Sequence, residues 1–306
     1  MVFILAIDYG YIRMATAVIN GLNHYHHLPR IIVYTLKADT EKIADHFKRS
    51  ANVEVIEFTD GGLHYGQWHP LIWAKIEAFR LDIQETVLFL DADMIIYSNL
   101  QKYFDDFTAS KKLIGASPDF APFVKQFNSG FDFRQFFFRH FFNSNNYLME
   151  AAFNAGALLF RPDKAVYQEL MALARAFHEV AFYPEQAILN LLCLQRDGWH
   201  RMDDLSIMPF SPRILSGKDY GMLHFFTPRP AVMQAPIIRD GEPGLQEMMA
   251  WFEECYGVPY PLEKIEDDFK RRLENTWSVP DHPRSFPGMP NIALPPVKNL
   301  QAAFDI

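Results

Sequence analysis

Short apolar runs alternate with amphipathic stretches through the first two thirds of the chain. Runs of about five apolar residues predict buried strands, and apolar positions that recur every three or four residues predict helices packed on a sheet. The predicted strands are residues 2–6, 30–36, 53–58, 87–90, 113–116 and 156–161. The predicted helices are residues 12–25, 40–50, 71–81, 162–181 and 184–194. This alternation is typical of an α/β fold, a sheet flanked by helices.

Two later regions depart from this pattern. Residues 120–153 are crowded with phenylalanine and also carry Arg134, Arg139 and His140. This region is either a buried helix that fills the core or an insertion that lines an acceptor cleft and touches a lipid-linked or membrane-surface substrate. After about residue 241 two amphipathic stretches precede a proline-rich, extended tail. We therefore expect a catalytic domain over residues 1–240 and a C-terminal extension of helices and tail over residues 241–306.

Composition narrows the class of protein. Hydrophobic residues make up 49% of the 306 residues and charged residues 22%, which is typical of a soluble globular protein. No apolar run reaches the roughly 18 residues that a membrane-spanning helix needs. A net charge of -8 argues against general nucleic-acid binding. Two cysteines cannot build a disulfide framework or a zinc cluster, which agrees with a reducing, cytoplasmic compartment.

The most specific chemical feature is a pair of carboxylates, Asp91 and Asp93, directly after the apolar strand 87–90. Alternate residues of an extended backbone point to the same side, so both carboxylates face the crevice at the strand's carboxyl end. Two adjacent carboxylates repel each other and favour a divalent cation, which in turn would neutralise an anionic diphosphate.

Two other interpretations of these residues stay open at this point. The carboxylates could cap the element that follows the strand. Alternatively, Asp91 could be the nucleophile of a phosphatase-type site, with Asp203 and Asp204 as the further acidic pair that such a site requires.

Five further segments accompany the acidic pair. They are Ala6-Ile7-Asp8-Tyr9-Gly10-Tyr11, Trp73-Ala74-Lys75-Ile76, Phe153-Asn154-Ala155-Gly156, Glu185-Gln186-Ala187-Ile188-Leu189-Asn190 and His224-Phe225-Phe226-Thr227-Pro228-Arg229-Pro230. In this order they resemble glycosyltransferase family 8, the group of glycogenin and the lipopolysaccharide galactosyltransferases. The resemblance covers about residues 1–230 and implies the GT-A fold, a nucleotide-sugar-binding mixed sheet flanked by helices.

The resemblance also implies roles for individual residues. Binding of the UDP-sugar donor falls to Ala6, Asp8, Tyr11, Lys75, Asp91, Ala92, Ala155, Gly156 and Arg229. The metal ligands are Asp91, Asp93 and His224, and the residues at the reacting sugar are Asn154, Glu185 and Gln186. Glycine at 156 lets the backbone approach the ligand closely, and asparagine offers a donor and an acceptor to sugar hydroxyls.

Three positions depart from the family pattern. Glu185 replaces an aspartate, Thr227 replaces a glycine, and Arg229 stands one position before the family's phosphate-binding lysine. Arginine can grip phosphate by a bidentate fork.

The implied activity is transfer of a hexose, glucose or galactose, from a UDP-sugar to a carbohydrate or glycolipid acceptor with retention of configuration. Mn²⁺ is the expected cofactor and Mg²⁺ the alternative. The expected location is the cytoplasm, with peripheral contact at the inner membrane face as a variant of it. A UDP-sugar-binding protein with a weakened site and a phosphatase-type hydrolase are the alternative functions.

Overall fold

The structure is a computed structural model that describes residues 1–59, 69–122, 126, 151–178, 181–207 and 220–224. Its strands in this part of the chain are β1 (Val2–Ala6), β2 (Arg30–Thr35), β3 (Val53–Glu57), β4 (Val87–Leu90), β5 (Met94–Ile96), β6 (Ile114–Ala116), β7 (Pro118–Pro122), β8 (Ala151–Phe153), β9 (Ala157–Phe160), β10 (Trp199–Arg201), β11 (Ser206–Ile207) and β12 (Met222–His224). Its α-helices are α1 (Ile12–His26), α2 (Thr40–Phe47), α3 (Ala74–Glu77), α4 (Gln101–Ser110), α5 (Lys164–Phe177) and α6 (Pro184–Arg196).

A seven-stranded sheet in the order β10-β6-β9-β4-β1-β2-β3 forms the centre of the molecule. Strand β9 runs antiparallel to both of its neighbours, β4 and β6, whereas the other neighbouring pairs are parallel. A small sheet, β11-β12-β5, lies beside it, and β7 pairs with β8. The sheet is therefore mixed, as predicted.

The two faces of the sheet bury separate hydrophobic clusters. Successive residues of a strand point to opposite faces, so Phe3 and Leu5 pack with α1 and α4, whereas Ile4 and Phe89 pack with α3, α5 and α6. All of these side chains are almost fully buried. Burial of each of these side chains stabilises the fold by about 1.5–3 kcal/mol. This packing fixes the positions of the strand ends that carry the polar residues.

Most of the predicted helices and strands are confirmed, but one predicted helix is wrong. Residues 71–81 do not form one helix: a 3₁₀ turn at Pro70–Trp73 leads into the single turn of α3, and a second 3₁₀ turn follows at Ala78–Arg80. Proline at the first helical position fixes the backbone there but leaves no amide to donate.

Several boundaries also differ from the prediction. Helix α2 ends at Phe47 rather than at residue 50. Helix α5 begins at Lys164 rather than at residue 162, because the side chain of Asp163 caps it by accepting from Ala165 and Val166 N–H. It ends at Phe177 rather than at residue 181.

The short strands β5, β7, β8 and β10–β12 and helix α4 were not predicted. Strands of two to five residues carry little pattern of their own and depend on distant pairing partners.

Two predicted regions lie wholly or mostly outside the described residues. Strands β7 and β8 pair at the two ends of the aromatic region, but between them only Gln126 is described. Residues 225–306 are also outside, so the division at residue 240 stays a prediction. Among the described helices, none is both long enough and apolar enough to cross a bilayer.

Candidate active site

Three parts of the chain meet at one edge of the central sheet. Strands β1 and β4 are parallel, with Leu5 opposite Leu90. The next residues, Ala6 at the end of β1 and Asp91 just after β4, therefore lie side by side. Strand β9 runs the other way and begins where β4 ends. Its preceding residue, Gly156, accepts a hydrogen bond from Asp91 N–H at 2.8 Å. The ends of β1 and β4 and the start of β9 therefore form a common polar edge, where open α/β sheets bind ligands.

Asp91, Asp93 and His224 converge at this edge. Strand β12 pairs antiparallel with β5 and places His224 opposite Met94. The Nε2 atom of His224 lies 3.3 Å from Asp93 Oδ1 and 3.8 Å from Asp91 Oδ2. One ligand atom from each of the three side chains lies within 4.8 Å of the others. Two carboxylate oxygens and one imidazole nitrogen are a donor set that suits Mn²⁺ or Mg²⁺, so these residues fit the metal that the resemblance implied.

The electrostatics of the cluster favour a bound cation. Burial lowers the pKa of His224, but the carboxylates, Asp93 before Asp91, outweigh it and leave the pKa above its usual value. Burial raises the pKa of Asp91, and Asp93 acts in the same direction, while Lys75 opposes both. Two carboxylates held this close together therefore gain from a positive charge placed between them.

Lys75 supplies a buried positive charge beside the cluster. It lies on α3 with only 7% of its surface exposed. Its Nζ atom is 3.0 Å from Asp91 Oδ1 and 3.2 Å from Glu185 Oε1. Burial lowers the pKa of Lys75, but Asp91 and Glu185 together outweigh it, so the pKa is above its usual value and the ammonium stays charged. The longer side chain of Glu185, compared with the family's aspartate, reaches this ammonium.

The buried amide of Gln186 ties residues 154–156 to α6 and β7, and the buried amide of Asn154 closes a hydrogen bond within this segment. Gln186 Oε1 accepts from Ala155 N–H at 2.8 Å, and Gln186 Nε2 donates to Asp119 Oδ2 at 2.7 Å. Asn154 Oδ1 accepts from Gly156 N–H at 2.9 Å. Two of the residues predicted to surround the reacting sugar, Asn154 and Gln186, thus both bond to the backbone of residues 155–156.

The family model for glycosyl transferase family 8 matches residues 2–204, the greater part of the chain. The chain belongs to glycosyltransferase family 8. It is therefore a glycosyltransferase, and the predicted family is confirmed.

Solved structures confirm the fold of this family 8 chain. The galactosyltransferase LgtC, in complex with donor and acceptor sugar analogues, is 17% identical with a TM-score of 0.55, and the match covers 87% of this chain and 100% of LgtC. The apo bifunctional glycosyltransferase WbbM is 15% identical with a TM-score of 0.56, covering 87% of this chain and 51% of WbbM. Apo mouse xyloside xylosyltransferase 1 is 12% identical with a TM-score of 0.51, covering 73% of this chain and 96% of the mouse chain.

These structural matches establish the GT-A fold. At such low sequence identities they establish nothing about the substrate. No curated protein matches the family 8 chain.

The remaining predicted residues occupy the same edge or lie outside the described part. Asp8 follows β1, and its Oδ2 atom is 3.4 Å from His69 Nε2. Tyr11 closes a 3₁₀ turn, in which its N–H donates to Asp8 O at 3.2 Å. Ala92, which stands between Asp91 and Asp93 in the sequence, is buried. Arg229 is outside the described residues, so its predicted role at the diphosphate stays a prediction.

The structure also bears on the phosphatase interpretation of Asp91 that the sequence had left open. Asp203 forms a surface ion pair with Arg201 at 2.8 Å. Among the described residues, neither Asp203 nor Asp204 joins the cluster of Asp91, Asp93 and His224. The phosphatase interpretation therefore loses the second acidic pair on which it depended.

Three polar residues beside the candidate site received no role from the sequence, although Asn190 stood in one of the segments that carried the resemblance. Asp119 lies in β7, three residues after the end of β6, whose carboxyl end lies at the same edge, so a carboxylate shortly after a buried strand was the available signal. Asn190 lies one helical turn after Gln186; its side chain accepts from Phe153 N–H and donates to Phe153 O. His69 precedes the 3₁₀ turn and accepts from Leu71 N–H. A helical turn of four residues is a usable signal for Asn190, whereas His69 had none.

Proposed function

We propose that this glycosyltransferase moves a hexose, glucose or galactose, from a UDP-sugar to a carbohydrate or glycolipid acceptor with retention of configuration. The observation that supports this most is the convergence of Asp91, Asp93 and His224 beside the Lys75–Glu185 pair. A cation site next to a buried ammonium is the arrangement that an anionic diphosphate leaving group requires.

Asp91, Asp93 and His224 are the proposed metal ligands, for Mn²⁺ in the first place and Mg²⁺ as the alternative. When bound, the metal would offset the negative charge that develops on UDP as the glycosidic C–O bond breaks. Lys75 adds a positive charge that is already paired with Asp91 and does not have to move into place. Arg229 is the proposed further contact to the diphosphate.

The remaining roles concern the nucleoside and the sugar. We assign the uracil to Ala6, Asp8 and Tyr11 at the end of β1, and the donor sugar to Asn154, Glu185 and Gln186. Neutral and acidic side chains there tolerate positive charge on an oxocarbenium-like sugar.

Retention is proposed to follow a front-face route, in which the leaving phosphate helps to deprotonate the acceptor. Both polar groups of the Gln186 amide already bond within the protein, to Ala155 and Asp119. Glu185 is paired with Lys75. These contacts support positioning roles rather than nucleophilic attack, and a covalent glycosyl adduct trapped on Glu185 or Asp119 would refute the route.

Release of UDP by the purified protein tests the proposal. A panel of UDP-sugars is incubated with the protein in Mn²⁺ and, separately, in EDTA. We expect slow, metal-dependent hydrolysis of one donor, which names the sugar, and loss of that hydrolysis in Asp93→Asn and His224→Ala. UDP binding without release from any donor would favour the binding-protein alternative, and no binding of UDP would refute the donor assignment.

Cytoplasmic location is part of the proposal. It is supported by Cys193, which is a free and buried thiol.

A further inference from the structure

Gly156 contacts three groups of the candidate site at once. Its carbonyl oxygen accepts from Asp91 N–H at 2.8 Å, which fixes the backbone of one proposed metal ligand. Its N–H donates to Asn154 Oδ1 at 2.9 Å, which orients a proposed sugar-binding amide. Its third neighbour is the imidazole ring of His224.

The imidazole of His224 lies in the space that a side chain at position 156 would occupy. A Cβ atom added to Gly156 would be 2.2 Å from His224 Cε1 and 2.6 Å from His224 Nδ1, whereas ordinary van der Waals contact begins at 3.4 Å. The backbone of Gly156 is not in the left-handed region, so alanine could adopt its conformation without strain. What requires glycine at this position is space: the imidazole ring fills it on one side, and Asn154 Oδ1, 2.9 Å from the added Cβ, lies on another.

The ring has little room to move elsewhere. His224 is 2% exposed, and its backbone is held in β12 opposite Met94. A methyl group at position 156 would therefore push the imidazole away from its present place by more than the roughly 0.2 Å tolerance of metal–ligand distances. Its Nε2 atom would then lose its present position beside Asp93 and Asp91.

We propose that Gly156 is a positioning residue whose missing side chain seats His224 against Asp91 and Asp93. The inference rests on the proposed metal site. It replaces the expectation from the sequence that the glycine serves close approach of the backbone to the sugar. It also couples the two halves of the site, because the residue that seats the histidine also orients Asn154.

The test is a double-mutant cycle of Gly156→Ala and His224→Ala, read by direct Mn²⁺ binding and by chemical unfolding in EDTA. Bound Mn²⁺ is measured from the loss of the free-ion paramagnetic resonance signal, which needs no turnover. We expect Gly156→Ala to weaken Mn²⁺ binding at least about tenfold, the lower end for residues that orient a ligand. In the His224→Ala background the same change should leave Mn²⁺ affinity unaltered and should lower the unfolding midpoint much less than in the wild-type background, because only the contact with Asn154 Oδ1 remains.

Gly198→Ala is the matched control. Its added Cβ would lie 2.8 Å from Leu113 Cδ1, which is also too close for van der Waals contact, although less so, and is away from the site. We expect this variant to lose stability and to keep its Mn²⁺ affinity.

The outcomes separate the inference from the proposed function. If Gly156→Ala keeps its Mn²⁺ affinity and loses affinity for the UDP-sugar, the glycine serves the sugar and the inference is wrong. If Gly156→Ala does not fold, a folded double variant supports the inference and an unfolded double variant overturns it. If the wild-type protein itself binds no Mn²⁺, the metal part of the proposed function fails, and the inference fails with it.

Discussion

Replacement of Lys75 by methionine removes the positive charge between Asp91 and Glu185 and keeps most of the apolar length of the side chain. In the wild-type protein the side chain of Lys75 is 8% exposed, and the side chains of Asp91 and Glu185 are 31% and 12% exposed. Without the ammonium, the carboxylates of Asp91 and Glu185 stay partly or largely buried and lose the positive charge that they share.

Breaking a buried ion pair from one side costs about 3–5 kcal/mol. Since Asp91 is nearly one third exposed, we expect the lower end, a loss of about 3 kcal/mol in the free energy of unfolding.

The assay is urea unfolding in EDTA, so that no metal replaces the missing charge. Lys112→Met is the matched control, because Lys112 pairs with Asp197 at 2.7 Å but the two side chains are 33% and 94% exposed. Exposed pairs contribute about 0–1 kcal/mol. Addition of Glu185→Gln to Lys75→Met should recover part of the loss, because one of the two stranded carboxylates is then neutral.

The reasoning would be refuted if Lys75→Met cost no more than Lys112→Met. A large loss that Glu185→Gln did not reduce would show that the cost comes from packing rather than from charge.

Two further predictions concern the framework around the site. Burial, helped by the positive charges of the N-terminus and His27, lowers the pKa of His26 to about 4 from 6.5. As the pH falls, the unfolded chain therefore binds a proton at His26 at a higher pH than the folded protein does. The free energy of unfolding should fall by up to about 3 kcal/mol as the pH drops from 6.5 to 4. His26→Gln should flatten that part of a curve of unfolding free energy against pH. Asn190→Leu removes two hydrogen bonds to the Phe153 backbone and leaves its N–H and C=O buried. We expect a loss of about 2–4 kcal/mol in chemical unfolding, with a raised KM for the donor.

The sequence by itself determined the class of fold and the family. Residues 87–90 are all apolar, and a strand with apolar side chains on both faces must be covered on both faces. This pattern alone therefore predicts a central strand, and all four residues are buried. Asp91 and Asp93 follow such a strand, and their position at the sheet's carboxyl edge is a consequence of local geometry. The ordered segments with Asp8, Asn154 and Gln186 gave the family, which the comparison confirmed.

Only the tertiary structure decided which of these groups touch each other. Lys75 and Glu185 are 110 positions apart, and their contact across α3 and α6 depends on how both helices pack on one face of the sheet. The same holds for Gln186 and Asp119, and for the imidazole of His224 above Gly156. The reason is physical: periodicity along the chain reports which face of an element is buried, but contact between elements depends on packing that distant residues share.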